Sequence, residues 1–223
     1  TGSQIHDSIL AYAYCFQNNL NYSGAIGESN FKSVNELSKF LNIPLPKKKI
    51  DDNAILINTK KYKFYNNQFL NEKFINKLKS SFNYKKKSIF TIVIHIRRGD
   101  VNENTMYKNK ETRYLPNSYY IDIIEKVKNI NKEKMIKVYS ESISQESFDD
   151  FKKLGCEIYL DTPLKEVWES IINADIFIMS KSSFSFVPGI FCKGVVIYKD
   201  FWHSKLKLKN WINEKKINFK NNF

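Results

Sequence analysis

Two adjacent arginines stand apart in a chain that otherwise relies on lysine for positive charge. Of 36 Lys and Arg residues, only Arg97, Arg98 and Arg113 are arginine. A guanidinium is a planar fork of donors that grips phosphate or carboxylate through paired hydrogen bonds, where lysine offers a point charge. The pair closes the segment Ile94-His95-Ile96-Arg97-Arg98-Gly99-Asp100. Two forks at the end of an apolar run suggest an anion site. Gly99 lets the backbone turn sharply there, and Asp100 can orient a guanidinium. Two plainer readings stand beside this one. Arg97 or Arg98 could pair with Asp100 only to close a loop. Arg98-Gly99-Asp100 also spells an adhesion tripeptide, although three-residue matches arise by chance and a sheet rim displays them poorly.

A second segment, Ser182-Ser183-Phe184-Ser185, precedes an apolar stretch with helical character. Helix N-termini carry unpaired N–H groups and a partial positive charge suited to phosphate, and serine hydroxyls add donors. Ordinary serine N-capping is the competing account.

The elements that must position these segments follow from hydrophobic periodicity. Residues 4–20 read as a helix with Ile5, Ile9, Ala13 and Phe16 on one face. Ser33 and Glu36 form a capping-box pattern before Leu37, Phe40 and Leu41, and Pro44 and Pro46 end that helix. Ala54–Ile57 reads as a strand, 68–80 as a helix, and Lys85-Lys86-Lys87 as a boundary. From there the pattern alternates. Strands are predicted over Ser88–Ile96, Ile136–Ser140, Glu157–Leu160, Asp175–Met179 and Val195–Tyr198. Helices are predicted from Pro116-Asn117 to Asn129, over Gln145–Leu154 (stopped by Gly155), from Pro163 to Asn173, and over Phe184–Phe191. Residues 97–115 are polar, and 201–223 read as helical and aromatic-studded. Such alternation predicts a parallel α/β sheet. The expected division is 1–85, 86–200 and 201–223. Ligands of open parallel sheets bind outside the carboxyl ends of the strands, where His95–Asp100 and Ser180–Ser185 both fall. Ile94 and Ile96 would pack into the sheet layers while His95 and Arg97 emerge at its rim.

Composition narrows the partners. The 223 residues are 42% hydrophobic and 15% aromatic, enough to bury a core, and the net charge of +13 favours anionic partners. The lysines are scattered and no basic helix repeats, so a solvated surface is the simpler account and nucleic acid is not expected. No run of about 18 apolar residues suggests a transmembrane helix, and no signal peptide is seen. Cys15, Cys156 and Cys192 are far apart and odd in number, which fits a reducing, cytoplasmic setting.

The motifs together resemble a known family. His-x-Arg-Arg-Gly-Asp after an apolar strand resembles the signature of α-1,2-fucosyltransferases and the His-x-Arg motifs of α-1,6- and protein O-fucosyltransferases. Ala174-Asp175-Ile176-Phe177-Ile178-Met179-Ser180 followed by Ser182-Ser183-Phe184-Ser185 is similar to their later Ser-Ser-Phe-Ser/Thr motif. Val138-Tyr139-Ser140-Glu141 resembles their intervening strand-plus-acidic motif, and Gly2-Ser3-Gln4 with Ala11-Tyr12-Ala13 their N-terminal glycine element. Ser3 stands where Asn is usual, and the strand that would precede Gly2 is absent, so a truncated start is expected.

The resemblance implies a GT-B architecture, two Rossmann-like domains with the nucleotide-sugar donor in the cleft. Arg97 would hold the β-phosphate, assisted by Arg98 and oriented by Asp100, with His95 near the nucleoside. Ser182, Ser183, Phe184 and Ser185 would also meet the donor, as would Glu141. Gly2, Ser3 and Gln4 would line the cleft near sugar or acceptor. No Asp-x-Asp triplet occurs in the chain, so neither a metal nor another cofactor is expected. Transfer of L-fucose from GDP-fucose to a glycan or other hydroxyl acceptor is the favoured reaction. Rhamnosyl or other transfer from a UDP or another nucleotide sugar is the first alternative. A non-catalytic basic glycan- or nucleic-acid-binding module is the second. His6 and Asp7 are base candidates for the acceptor hydroxyl, although ordinary surface or capping roles suit them as well.

Overall fold

The computed structural model describes residues 2–24, 31–44, 53–54, 69–104, 113–130, 133–142, 146–203, 206 and 208–217. The alternation expected after residue 86 appears as strands β1 (Phe90–His95), β2 (Lys134–Ser140), β3 (Glu157–Leu160), β4 (Ile176–Ile178), β5 (Val195–Tyr198) and β6 (Trp211–Asn213). Between them lie helices α4 (Asn117–Val127), α5 (Asp149–Lys153), α6 (Leu164–Ile172) and α7 (Ser183–Phe191). Every strand pair is parallel and the order is β3-β2-β1-β4-β5-β6. This is the doubly wound order in which the chain leaves β1 toward one edge and later leaves β4 toward the other.

Strand alternation sorts the core into two layers. Ile92, Ile94 and Ile96 join Val138, Ile176 and Ile178 in a cluster with Tyr120, Ile123, Ile124 and Val127 of α4 and Phe151 of α5. The opposite parity, with Val93 and Phe177 fully buried, faces α7, where Gly189 lets that helix approach Phe177 and Trp211. Burial on both faces explains why β1 reads as a continuous apolar run.

The C-terminal segment departs from expectation. Residues 201–223 were expected to be helical, but Trp211–Asn213 adds the edge strand β6 and Glu214–Lys216 is a single 3-10 turn. Asn210 donates from its side-chain amide to Cys192 O at 3.0 Å and Gly194 O at 2.6 Å. That anchor delivers Trp211 and Ile212 opposite Val196 and Ile197. Helix α5 begins only at Asp149, because Phe148 occupies the cap position. Pro163 caps α6 rather than sitting within its first turn.

Two units divide the chain: Thr1–Asn83 with Trp202–Leu208, and Tyr84–Phe201 with Lys209–Phe223. Among the described residues the first holds helices α1 (Gly2–Gln17), α2 (Phe31–Phe40) and α3 (Glu72–Ser81). Ile5, Ile9, Leu10 and Ala13 of α1, Leu37 of α2 and Phe74, Ile75 and Leu78 of α3 are buried. The expected strand at 54–57 falls largely outside the described residues. Ser33 lies within α2 and so does not cap it. Both α1 and α2 close through asparagine rather than proline. Asn19 and Asn42 take φ of 53°, and the following residues donate back to Cys15 O (2.8 Å) and Ser38 O (3.0 Å), the Schellman pattern.

Candidate functional site

The crevice at the switch point lies between the carboxyl ends of β1 and β4, neighbours in the sheet. One strand delivers His95 to Asp100 there, and the other delivers Met179 to Ser185. The two expected segments therefore meet.

His95 is the joint between them. Its parity places it on the α7 side of the sheet, where it is only 7% exposed rather than emerging at the rim. Its Nδ1 lies 2.6 Å from Ser185 Oγ and 3.0 Å from Ser180 Oγ, and the two hydroxyls are 2.8 Å apart. The ring packs against Phe184, 4.9 Å between centroids, and Phe184 in turn against Trp168. Burial, with the nearby Arg97 charge, lowers the imidazole pKa to about 3. His95 is therefore neutral at physiological pH.

The arginines have different surroundings. Arg97 keeps 27% of its side-chain surface. One terminal nitrogen pairs with Asp100, and the other lies 3.7 Å from Glu141 Oε1. Glu141 directly follows β2, and burial raises its pKa against the opposing pull of Arg97. Gly99 has φ of +77°, and a Cβ there would sit 2.6 Å from Glu141 Oε2. The turn needs glycine for its backbone conformation.

Arg98 corrects the sequence reading. Its side chain is fully buried and turned to the α4/α5 side. Nε donates to Glu146 (2.8 Å), one terminal nitrogen to Arg97 O (2.9 Å), and the other to Leu115 O (3.1 Å) and Asn117 Oδ1 (2.7 Å). The guanidinium also lies over the Tyr114 ring at 4.6 Å. All three nitrogens are committed within the protein, so Arg98 ties three loops together and does not face the crevice.

Ser182 is the N-cap of α7, its Oγ accepting from Phe184 N at 3.1 Å. The serine N-capping expected as the plainer account is therefore present. Ser183 and Phe184 remain partly exposed, whereas Ser185 is fully buried. Gly2, Ser3, Gln4, His6 and Asp7 all lie in α1 of the first unit. His6 is 3% exposed, its ring centroid 4.3 Å from that of His203, and Asp7 is exposed. Sequence reasoning did not assign roles to Ser180, or to Tyr114, Asn117 and Glu146 around Arg98. Parity was the available signal for Arg98, which continues the series Ile92, Ile94, Ile96 into the same layer.

No family model matches the chain, and no curated protein matches it. Solved structures that resemble it include Thermosulfurimonas dismutans KpsC, a beta Kdo 2,7 transferase. It is 15% identical over 56% of this chain and 39% of that one, with a TM-score of 0.35. Two structures of POFUT1, in complex with GDP-fucose and with GDP, are each 14% identical over 81% of this chain. They are covered over 65% and 64% of their own length, with TM-scores of 0.33 and 0.32. The chain thus spans less than two thirds of these proteins. Similarity of this degree assigns no family.

Proposed function

We propose that the chain is a GT-B-like, metal-independent glycosyltransferase that takes a nucleoside diphosphate sugar, GDP-fucose being the favoured donor. One observation carries the reading. A partly exposed guanidinium, Arg97, and the N-terminus of α7 emerge from adjacent strand ends at the switch point, and the buried His95–Ser185 contact links the two segments. Cleaving a sugar–phosphate bond leaves growing negative charge on the diphosphate. Arg97 would take that charge, and the first amides of α7 would add the helix-terminal field. Among the described residues only one terminal nitrogen of Arg97 is hydrogen-bonded, to Asp100, so the fork retains donors for phosphate. Asp100 and Glu141 orient it. Arg98 supports this arrangement by fixing the loop. Of the two base candidates, exposed Asp7 suits a role toward an acceptor hydroxyl better than buried His6.

The test is ligand-induced stabilisation by GDP, UDP and their sugars. A nucleotide that binds the folded state raises Tm by mass action. GDP is expected to raise it most. No shift with either GDP or UDP at millimolar concentration removes the donor-site reading.

A further inference from the structure

His95, Ser180 and Ser185 form a closed triangle of polar groups, with the serines 1% and 0% exposed. Its protons can be counted. Among the described residues the two hydroxyls have no other side-chain hydrogen bond. If Nδ1 is bare, Ser185 donates to it and Ser180 donates to Ser185, so both hydroxyl protons are used. If Nδ1 carries the proton and donates into the triangle, one buried hydroxyl proton has no acceptor. An unpaired buried donor is costly enough to disfavour that tautomer by about tenfold or more.

We propose that Ser180 and Ser185 fix His95 as the Nε2–H tautomer, making its outer ring nitrogen a standing donor to an anionic oxygen of the bound nucleotide. Among the described residues no group is hydrogen-bonded to Nε2. The tautomer assignment stands on the triangle alone, whereas the donor role rests on the nucleoside diphosphate reading above. The serines act as positioning residues, setting through the ring which nitrogen carries hydrogen. The imidazolium, which would donate from both nitrogens, is suppressed by burial and by Arg97.

A long-range proton–nitrogen NMR correlation of the ring-labelled chain at neutral pH reads the tautomer directly, without ligand. The chain has three histidines, so His6→Asn and His203→Asn variants assign the His95 signals. The expected spectrum has pyridine-like Nδ1 and pyrrole-like Nε2. A pyrrole-like Nδ1, or averaged shifts from fast exchange, overturns the assignment. The double variant Ser180→Ala/Ser185→Ala, which removes both hydroxyls facing Nδ1, should move the shifts toward the average and weaken GDP binding by about twofold, the loss that a half-populated donor tautomer gives. If that variant does not fold, the wild-type spectrum still decides. GDP is then titrated into wild type. A shift of the Nε2–H signal on saturation supports the donor role, and GDP binding with that signal unmoved overturns it. Absence of GDP and UDP binding would remove the nucleotide reading while leaving the tautomer result intact.

Discussion

At the scale of single residues, adjacent arginines divide the work because strand alternation sends them to opposite sides. Arg97 shares parity with His95 and retains exposure, whereas Arg98 shares parity with the buried isoleucines and is sealed. Arg97→Lys keeps the charge and loses the fork. Removing such a donor from a transition-state site costs roughly 10²–10³ in turnover. Steady-state kinetics should show that loss with stability changed by no more than about 0.5 kcal/mol. Near-native turnover in a folded variant would leave loop closure by Asp100 as the better account of Arg97. Arg98→Lys should behave in the opposite sense. Lysine cannot reach Glu146, Leu115 and Asn117 at once, and leaving buried acceptors unpaired costs about 1–3 kcal/mol, readable by urea denaturation. If both variants are equally stable, Arg98 is no anchor. The same assignment bears on metals. With Arg97 as electrophile and no Asp-x-Asp triplet in the sequence, turnover should survive EDTA. Loss on chelation, restored by manganese or magnesium, would reassign the electrophile.

Elements were legible where a short run rich in strand-forming residues stood between turn residues. β3 and β5 fall on their predicted residues, since short β-branched and aromatic runs between turn residues admit few readings. The end of α5 was legible in Gly155, whose φ of +78° closes the helix. The edge strand β6 was not. Three residues carry no measurable period, and their pairing is decided by Asn210, whose two carbonyl partners are 16 and 18 positions away. Strand order was likewise invisible, although it is what turns two separate motifs into one crevice. The burial of His95 also escaped, because its serine partners lie 85 and 90 positions downstream. Gly194 tests how tightly this packing fixes β5. A Cβ there would sit 2.3 Å from both Ala174 O and Asp175 O, and Val195 N donates to Asp175 O at 2.8 Å. The obstructing atoms are backbone, so no rotamer change relieves the clash. Gly194→Ala should therefore cost about 3 kcal/mol, the upper end of the usual overpacking range, and detach the start of β5 from β4. An unfolding midpoint equal to wild type would show that this junction yields.

At the scale of the whole molecule, each unit carries a buried histidine that resists protonation, and this gives the fold an acid limit. In the first unit His203 has its pKa lowered to about 2, by burial and then by His6. In the second, His95 is lowered to about 3, by burial and then by Arg97. The unfolded chain binds a proton at each near pH 6.5, whereas the folded chain does not. Both contributions are therefore complete above pH 6.5 and are lost as pH falls below it. The loss continues toward the folded values at about 1.4 kcal/mol per pH unit for each histidine. Two carboxyls act in the opposite sense. Glu141 and Glu214 have pKa values raised by burial, so the folded state takes up their protons first and gains relative stability as the pH nears the ordinary carboxylate range. Because that range lies near 4.5, the histidines dominate between pH 6.5 and 5.5. Urea denaturation should give a flat stability from pH 8 to 7 and a loss of roughly 1–3 kcal/mol by pH 5.5. His95→Asn and His203→Asn should each remove about half of the slope, whatever they do to stability at neutral pH. A stability unchanged from pH 7 to 5.5 in wild type would mean that both imidazoles accept protons in the folded state, and their burial could not then be what holds them neutral.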